Sequence, residues 1–263
     1  MLFRHLLFLG ACVCLFSCGN NLDDADAGAD SANPPAEGFD LTDSDPQAIA
    51  LADSVMLAIG GRKNWDDTRY LYWNFFGART LLWDKLGKKA RVESIRDSSV
   101  YLVDIASGES RIKMYGKEQT SADTLAKYGE RGMGMWINDS YWLVMPFKLK
   151  DSGVTLKYMG QDTTKAGEMA EVLQLTFKEV GNTPNNKYLV YVDPGSKLVT
   201  QWEYFGNAAD AEPRFSLPWT DYKEYGSIML SGGRGERALT DIAVFEEVPE
   251  SAFTSFDPVD LPE

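Results

Sequence analysis

The sequence predicts a mainly β, α+β domain that follows an apolar leader and an acidic linker. Three observations predict this fold: one amphipathic helical stretch, two series of short apolar runs separated by turn residues, and a glycine-rich insertion between the two series. Short strands at regular spacing without helices between them are typical of an antiparallel sandwich or barrel. About 218 residues follow the linker, a length that one such domain can fill.

The leader, residues 1–17, has the layout of a secretory signal peptide. It begins with a basic residue, Arg4, and continues with an apolar core from Leu6 to Phe16. This core is shorter than the roughly 20 apolar residues that span a bilayer. Leu15 and Ser17 precede Cys18 as in the lipobox of signal-peptidase-II substrates. We therefore expect cleavage before Cys18 and lipidation of its thiol, which makes the chain a membrane-anchored envelope lipoprotein.

Removal of the leader decides which chemistry the mature chain can perform. His5 is the only histidine, and Cys12 and Cys14 are the only cysteines besides Cys18. A mature chain without histidine or a free thiol cannot form a Ser-His-Asp triad, a Cys-His pair or an ordinary zinc site. The sequence therefore predicts a protein that is not an enzyme and that uses no metal and no cofactor.

Residues 18–45 are predicted to be the lipidated cysteine and a disordered acidic linker. This segment holds eight acidic residues, no basic residue and little apolar bulk, which is typical of disorder. The formal charge of the chain is −13, and loss of Arg4 and of the linker acids leaves about −6 on the domain. Without a basic stripe we expect no nucleic-acid binding. The acidic run is interpreted as a solvated spacer, or alternatively as an export signal towards the outer face of the outer membrane.

Residues 46–263 are predicted to form a single domain that opens with a helix at Pro46, which the pair Gly60-Gly61 ends. The predicted strands cover residues 69–76, 80–86, 90–95, 99–105 and 111–115, then 154–159, 170–178, 187–192, 198–205, 215–225, 227–230 and 238–245. Between the series, residues 121–151 begin as a capped helix that Gly129, Gly132 and Gly134 are expected to break. We expect this insertion to be partly helical and to cover an apolar face of the sheet.

Several predicted strands are apolar on both faces, and Tyr70–Phe76 is the clearest of them. An antiparallel sheet with one solvated face alternates apolar and polar residues. Apolar residues on both faces therefore indicate either packing against a second layer or an apolar hollow that receives a ligand.

Two strings of residues resemble those of a known family: Ala58-Ile-Gly-Gly-Arg-Lys-Asn-Trp65 and Asn138-Asp-Ser-Tyr-Trp-Leu-Val-Met-Pro-Phe-Lys-Leu149. With the lipobox and the order of elements, they resemble an uncharacterised bacterial lipoprotein branch of the LolA/LolB-like lipoprotein-sorting superfamily. The resemblance implies an incomplete antiparallel β-barrel, or strongly curved sheet, whose helices cover a cavity for acyl chains. The arginine-proline string of the soluble carriers has no counterpart in Lys88–Glu93, so no functional residue is carried over.

The predicted function is lipid or acyl-chain binding by a lipoprotein of the outer membrane, on its periplasmic face or at the cell surface. The expected partners are the membrane, through Cys18, and acyl chains or other lipoproteins. The candidate ligand-binding residues are the apolar side chains of the presumed hollow: Leu71, Trp73, Phe75, Trp83, Trp142 and Trp202. The alternative is a glycan-binding surface lipoprotein whose tryptophans stack on sugars. The string Ser110-Arg-Ile-Lys113 matches an acyl-enzyme pattern, but it lies in a predicted strand and lacks its partner motifs.

Overall fold

The computed structural model describes residues 32–178 and 185–262, which form two antiparallel sheets and four helices. The helices are α1 (Pro46–Ala58), α2 (Gly61–Asp67), α3 (Ala122–Val144) and α4 (Ser251–Thr254), and a 3₁₀ turn covers Met145–Lys148. The strands are β1 (Tyr70–Phe75), β2 (Arg79–Asp84), β3 (Lys89–Ser94), β4 (Val100–Asp104), β5 (Ser110–Met114), β6 (Lys117–Glu118), β7 (Val154–Thr163), β8 (Met169–Phe177), β9 (Lys187–Val192), β10 (Val199–Phe205), β11 (Phe215–Pro218), β12 (Thr220–Tyr225), β13 (Ile228–Arg234) and β14 (Arg237–Phe245). The predicted leader, Cys18 and linker residues 19–31 lie outside the described residues.

The strands form one sheet of nine and one of five. The first has the order β12-β13-β14-β1-β2-β3-β4-β5-β6, and the second has the order β11-β10-β9-β8-β7. Within the described residues the two sheets do not close into one barrel, which confirms the predicted class of a mainly antiparallel β fold with a few helices. None of the helices in residues 32–178 and 185–262 has the length and apolar character needed to span a membrane.

The predicted strand 215–225 is divided between the two sheets. β11 pairs with β10 in the smaller sheet, whereas β12 pairs with β13 in the larger one. Trp219 stands between them with 1% of its surface exposed, and its amide donates to the carbonyl of Thr200 at 2.8 Å. The chain changes sheets at this buried tryptophan, an outcome that an apolar run along one segment cannot reveal.

Helix α3 is continuous through the glycines that were expected to break it. Its N-cap is Ser121, whose hydroxyl accepts from the amide of Thr124 at 3.4 Å. Gly132 packs directly on β4: a Cβ atom there would stand 3.1 Å from the ring of Tyr101 and 3.3 Å from Val103. The prediction of a broken helix was wrong, because Gly132 serves close packing between helix and sheet rather than chain reversal.

Two arginines fasten α3 to the larger sheet. Arg79 of β2 donates to both carboxylate oxygens of Asp139, at 2.6 and 2.8 Å, and Asp139 is completely buried. Arg234 of β13, also buried, donates to the carbonyl of Trp142 at 2.6 Å and lies 3.4 Å above the ring of Trp219. A cation near the last carbonyls of a helix also interacts favourably with the helix dipole.

The C-terminal segment, residues 249–262, packs on the outer face of the larger sheet at β1, β3 and β5. Arg91 donates to the backbone carbonyls of Ala252, Ser255 and Asp257 at 2.7 to 3.1 Å. The ring of Tyr70 stacks on Phe253 with 6.2 Å between centroids. The apolar character of both faces of β1 is therefore explained by packing on each side.

Residues 33–45 belong to the folded domain, so the prediction that the linker is disordered as far as Asp45 was wrong for this part. Phe39 is 9% exposed, and the amides of Asp40 and Asp45 donate to carbonyls of β7 at 3.0 and 2.9 Å. The segment thereby pairs with β7, which would otherwise be an unprotected sheet edge. The prediction from composition was wrong here because the carboxylates of this segment have hydrogen-bond partners in the domain. The Asp45 carboxylate accepts from the amide of Tyr158 and from the ammonium of Lys157, both at 3.0 Å.

We expect this docking to depend on pH. The Lys178 ammonium, followed by the Asp43 amide, lowers the pKa of the Asp40 carboxyl to about 2, and the Tyr158 amide lowers that of Asp45. A carboxyl whose pKa is lowered in the fold stabilises it above the ordinary value of about 4, and this contribution is lost as the pH falls towards 2. The protection of the amides of residues 39–45, measured as their exchange rate relative to an unfolded chain at the same pH, should therefore decrease between pH 4 and pH 2.

The Asp40→Asn variant tests the origin of this pH dependence. It should exchange faster than the parent protein already at pH 7 and show a weaker further change on acidification. Asp67→Asn is the matched control, since Asp67 is exposed and pairs with exposed Lys63 on α2. Equal exchange of the parent and of Asp40→Asn at pH 7 would contradict the prediction.

Candidate functional site

The candidate site is a hollow of about 400 Å³ between the C-terminal half of α3 and strands of both sheets. Its apolar walls consist of Trp83, Trp136, Ile137, Tyr141, Trp142, Val154, Phe177 and Tyr188. Its polar lining consists of Asn138, Ser140, Lys148, Asp151, Ser152 and Asn186. A volume of this size falls in the range of about 300–1,000 Å³ found for ligand pockets, and apolar walls with a few polar groups are typical of them.

Rings on the inner face of the smaller sheet form one side of the hollow. Tyr188 stacks on Trp202 at 5.2 Å with an interplanar angle of 10°, and Tyr141 of α3 lies 5.5 Å from Tyr188. Trp142 meets Trp202 edge-on at 4.8 Å. The register places these rings together, because directly opposite residues of antiparallel strands share a face and Tyr188 pairs with Tyr204 beside Trp202.

The opposite side is formed by the larger sheet and the middle of α3. Trp83 of β2 and Trp136 of α3 make an edge-on contact at 5.6 Å. Trp83 also contacts Trp65 of α2 at 6.2 Å, and Trp65 stacks on Phe147 at 4.4 Å. The hollow is thus bounded by two groups of aromatic rings, one on each side, and α3 contributes to both through Trp136 and Tyr141.

The two tyrosines of the hollow are unsuited to proton transfer near neutral pH. Burial raises the pKa of Tyr141 well above its ordinary value, and burial likewise raises the pKa of Tyr188. Lys148 and Asp151, the charged residues among those that line the hollow, form an ion pair with each other. A general acid or base works best with a pKa near the working pH, so this arrangement is suited to binding.

The structure brings only part of the predicted site together. Trp83 and Trp142 line the hollow, and Trp202 lies directly behind Trp142 and Tyr188 with no exposed surface. Leu71, Trp73 and Phe75 are core residues, at 0%, 0% and 7% exposure, and they lie outside its walls. Cys18, the predicted lipidation site, lies outside the described residues.

Sequence reasoning missed four aromatic wall residues: Trp136, Tyr141, Phe177 and Tyr188. Trp136 and Tyr141 both belong to the insertion, residues 121–151, that was expected to be only partly helical. Their positions on one continuous helix, five residues apart, were hidden by the assumption that the glycines break it. Phe177 and Tyr188 flank the hollow from neighbouring strands, and only the sheet register shows that they meet α3.

A second, larger cavity of about 940 Å³ lies at the N-terminal half of α3. It is lined by a mixture of apolar side chains and charged residues of both signs: Lys89, Asp104, Glu109, Arg111 and Glu130. Such charges are costly to strip of water, so this cavity is less suited to an apolar ligand. Residues 32–178 and 185–262 contain no group of three or more acidic, histidine or cysteine residues placed to hold a metal ion.

The sequence matches no protein-family model and no curated protein. Among solved structures, the fold is similar to a DUF1329 family protein from Desulfovibrio piger, at 14% identity and a TM-score of 0.45, covering 80% of this chain and 98% of that one. It is also similar to a putative outer membrane lipoprotein-sorting protein domain from Vibrio parahaemolyticus, at 10% identity and a TM-score of 0.39, covering 79% and 96%.

A LolA superfamily protein from Nitrosomonas europaea is a further similar structure, at 10% identity and a TM-score of 0.37, covering 77% of this chain and 96% of that chain. The resemblance stated from the sequence is thus found again among solved structures. At identities of 10 to 14% and TM-scores below 0.5, these similarities concern the fold and assign no function.

Proposed function

We propose that this chain is a non-catalytic lipoprotein of the bacterial envelope, anchored through Cys18, whose domain binds an acyl chain in the hollow beneath α3. The observation that carries the proposal is the hollow between the two sheets, with its aromatic walls and a single, mutually paired set of charges. An acyl chain gains from transfer to such a surface in proportion to the apolar area it removes from water. Because eight of the described lining residues are apolar or aromatic, the binding would depend on apolar contact more than on hydrogen bonds.

Binding should be lost when a charge is placed on the wall. Phe177 is half-buried at the end of β8 and lines the hollow, so the side chain of Phe177→Glu can keep its carboxylate near water. We expect the variant to bind a fluorescent fatty acid at least tenfold more weakly than the parent, with a nearly unchanged melting temperature. The protein used is residues 18–263 with Cys18→Ala, produced without the leader, and is called the soluble Cys18→Ala protein. Fluorescence titration of this protein gives the affinity, and circular dichroism gives the melting temperature.

Tyr115→Glu is the matched control for this experiment. Tyr115 is an aromatic residue with 84% of its surface exposed, at the turn between β5 and β6 and outside the walls of the hollow. It should leave both affinity and melting temperature unchanged. Equal affinity of the parent protein and Phe177→Glu would place the fatty acid elsewhere and contradict the proposal.

Anchoring is tested separately at Cys18. Two or three acyl chains hold a protein on a membrane far more firmly than one. The full-length protein should therefore incorporate labelled palmitate in a bacterial host and partition into the detergent phase, whereas Cys18→Ala should incorporate no palmitate and keep its leader. Cys14→Ala, inside the leader, should change neither property. Palmitate labelling of Cys18→Ala would contradict the assignment.

The alternative function is glycan binding. It is favoured by one specific observation: Trp136 and Trp142 are half-buried rather than enclosed, and the lining of the hollow includes two amide side chains, Asn138 and Asn186. Half-exposed rings with polar neighbours are suited to stacking on sugars. Calorimetric titration with envelope oligosaccharides separates the two functions. A glycan-binding protein should release heat on binding the oligosaccharide, whereas an acyl-binding protein should bind only the fatty acid.

A further inference from the structure

The hollow opens beside the point at which the chain leaves the domain towards Cys18. The backbone from Asn33 to Gly38 runs along residues 150–153: the Ala36 amide donates to the carbonyl of Lys150 at 2.9 Å, and the Gly153 amide donates to the carbonyl of Gly38 at 2.8 Å. Asp151 and Ser152 of the same stretch line the hollow. The N-terminal segment and the hollow therefore share one side of the domain.

The exit point is held firmly in place. The Asn33 side chain is 6% exposed and donates to the Asp53 carboxylate at 2.7 Å. Lys150, 3% exposed at its side chain, pairs with the same carboxylate oxygen at 2.7 Å. Gly38 lies so close to Ser152 that a Cβ atom would stand 2.7 Å from the Ser152 hydroxyl. The path of the chain past the hollow is thus determined by buried polar contacts and close packing.

The length of chain between this point and the predicted lipid is short. Residues 19–32 separate Cys18 from Asn33, and a chain of this length spans at most about 50 Å when fully extended. An anchor at Cys18 therefore keeps the hollow near the bilayer. A ligand joined to its site by a short linker has an effective concentration in the millimolar range. An acyl chain on Cys18 consequently has a large advantage over a lipid that is dissolved in the aqueous phase.

The charges and the volume also suit such an occupant. Lys148 and Asp151 neutralise each other, so the described lining carries no unpaired cation for a phosphate head group. The diacylglyceryl group of a lipidated cysteine carries no phosphate. At about 30 Å³ per heavy atom, the share of a water molecule in the liquid, the hollow of about 400 Å³ holds about thirteen such atoms. This accommodates most of one palmitoyl chain and is too little for two.

We propose that the hollow is occupied by one acyl chain of the same molecule's lipidated Cys18, with the remaining chains in the bilayer. This inference rests on the proposed function, since it requires both lipidation and acyl binding. Occupation in this way would hold the hollow against the membrane surface and close it to other lipids.

Photo-cross-linking of the full-length lipidated protein tests the inference. The photoreactive residue is introduced as Phe177→p-benzoylphenylalanine, with Tyr115→p-benzoylphenylalanine as the matched control at an exposed turn. Equal amounts of unlabelled and nitrogen-15-labelled protein are reconstituted in phosphatidylethanolamine–phosphatidylglycerol vesicles. Because no lysine or arginine lies between Cys18 and Arg62, trypsin releases one N-terminal lipopeptide that mass spectrometry can recognise.

The expected product joins position 177 to the lipopeptide of the same isotopic label, and the control position should give none. Adducts of position 177 with vesicle phospholipid, or with lipopeptide of the other label, would overturn the inference. So would the absence of any lipid adduct. Fatty-acid binding by the soluble Cys18→Ala protein is measured in parallel. If that protein binds the fatty acid, any of these contrary cross-linking results overturns only the proposal that the acyl chain of Cys18 occupies the hollow. If it does not bind the fatty acid, the proposed function fails as well.

Discussion

Trp73→Glu should prevent folding of the domain or lower its free energy of unfolding by more than about 4 kcal/mol. Trp73 has no exposed surface, and it belongs to the core between the larger sheet and the helices. A carboxylate at this position would be buried without a cation, which is among the costliest single changes in a core. The measurement is thermal and urea unfolding of the soluble Cys18→Ala protein followed by circular dichroism.

The same change at an exposed aromatic provides the comparison. Tyr115→Glu replaces a residue with 84% of its surface in solvent and should unfold with the parent midpoint. Trp73→Phe keeps an apolar ring and should lose clearly less stability than Trp73→Glu. If Trp73→Glu unfolded like the parent but no longer bound fatty acid, Trp73 would line a cavity, and its placement in the packed core would be wrong.

Arg79→Met should destabilise the fold by about 3–5 kcal/mol, because it leaves the Asp139 carboxylate completely buried without its bidentate partner. The double variant Arg79→Met, Asp139→Leu should recover most of this loss, since two apolar side chains replace a pair whose desolvation is itself expensive. Urea unfolding of the parent, both single variants and the double variant gives the coupling free energy between the two positions.

The pH dependence of these variants provides a second check. Burial raises the pKa of Asp139, against the opposing effect of Arg79. A buried acid whose pKa is raised in the fold destabilises the fold less as the pH falls, because its neutral form becomes populated. The decrease in the free energy of unfolding caused by Arg79→Met should therefore be smaller at pH 4 than at pH 7. Lys63→Met, which breaks an exposed ion pair with Asp67, should change stability little at either pH. Additive losses in the cycle would contradict a coupled pair.

The same pair bears on the proposed site. Asp139 lies on α3 between Trp136 and Tyr141, so the contact with Arg79 holds both aromatic wall residues at their place over the sheets. Arg79→Met should therefore weaken fatty-acid binding, although Arg79 does not line the hollow. The double variant, in which apolar packing replaces the ion pair, should regain part of the affinity.

The strands were well predicted because their signal is local. Alternation, β-branched residues and turn residues mark each run, and Lys187–Val192 begins and ends where it was predicted. The hairpin turn at Asp193-Pro194-Gly195-Ser196 is likewise encoded in four residues: the Asp193 carboxylate accepts from the amides of Gly195 and Ser196 at 3.1 and 2.6 Å. Such features need no distant partner, so the sequence indicates them reliably.

The errors occurred where a residue's role depends on a distant neighbour. Gly132 is a breaker in isolation but a packing residue against Tyr101. Asp40 and Asp45 indicate disorder by composition, yet they bind Lys178, Lys157 and strand β7. Trp73 and Trp142 are equivalent large apolar residues in the sequence, whereas one is core and the other lines a hollow.

The sequence alone thus determined the mainly β class, the strand boundaries to within a few residues and the lack of histidine or a free thiol downstream of Cys18. These properties depend on composition and on contacts between near neighbours. Only the tertiary structure decided where the sheets divide, that α3 passes unbroken between them, and which aromatic rings surround a hollow. Those properties depend on contacts such as those of Trp83 with Trp136 and of Tyr141 with Tyr188, residues that are distant in sequence and meet only after the chain has folded.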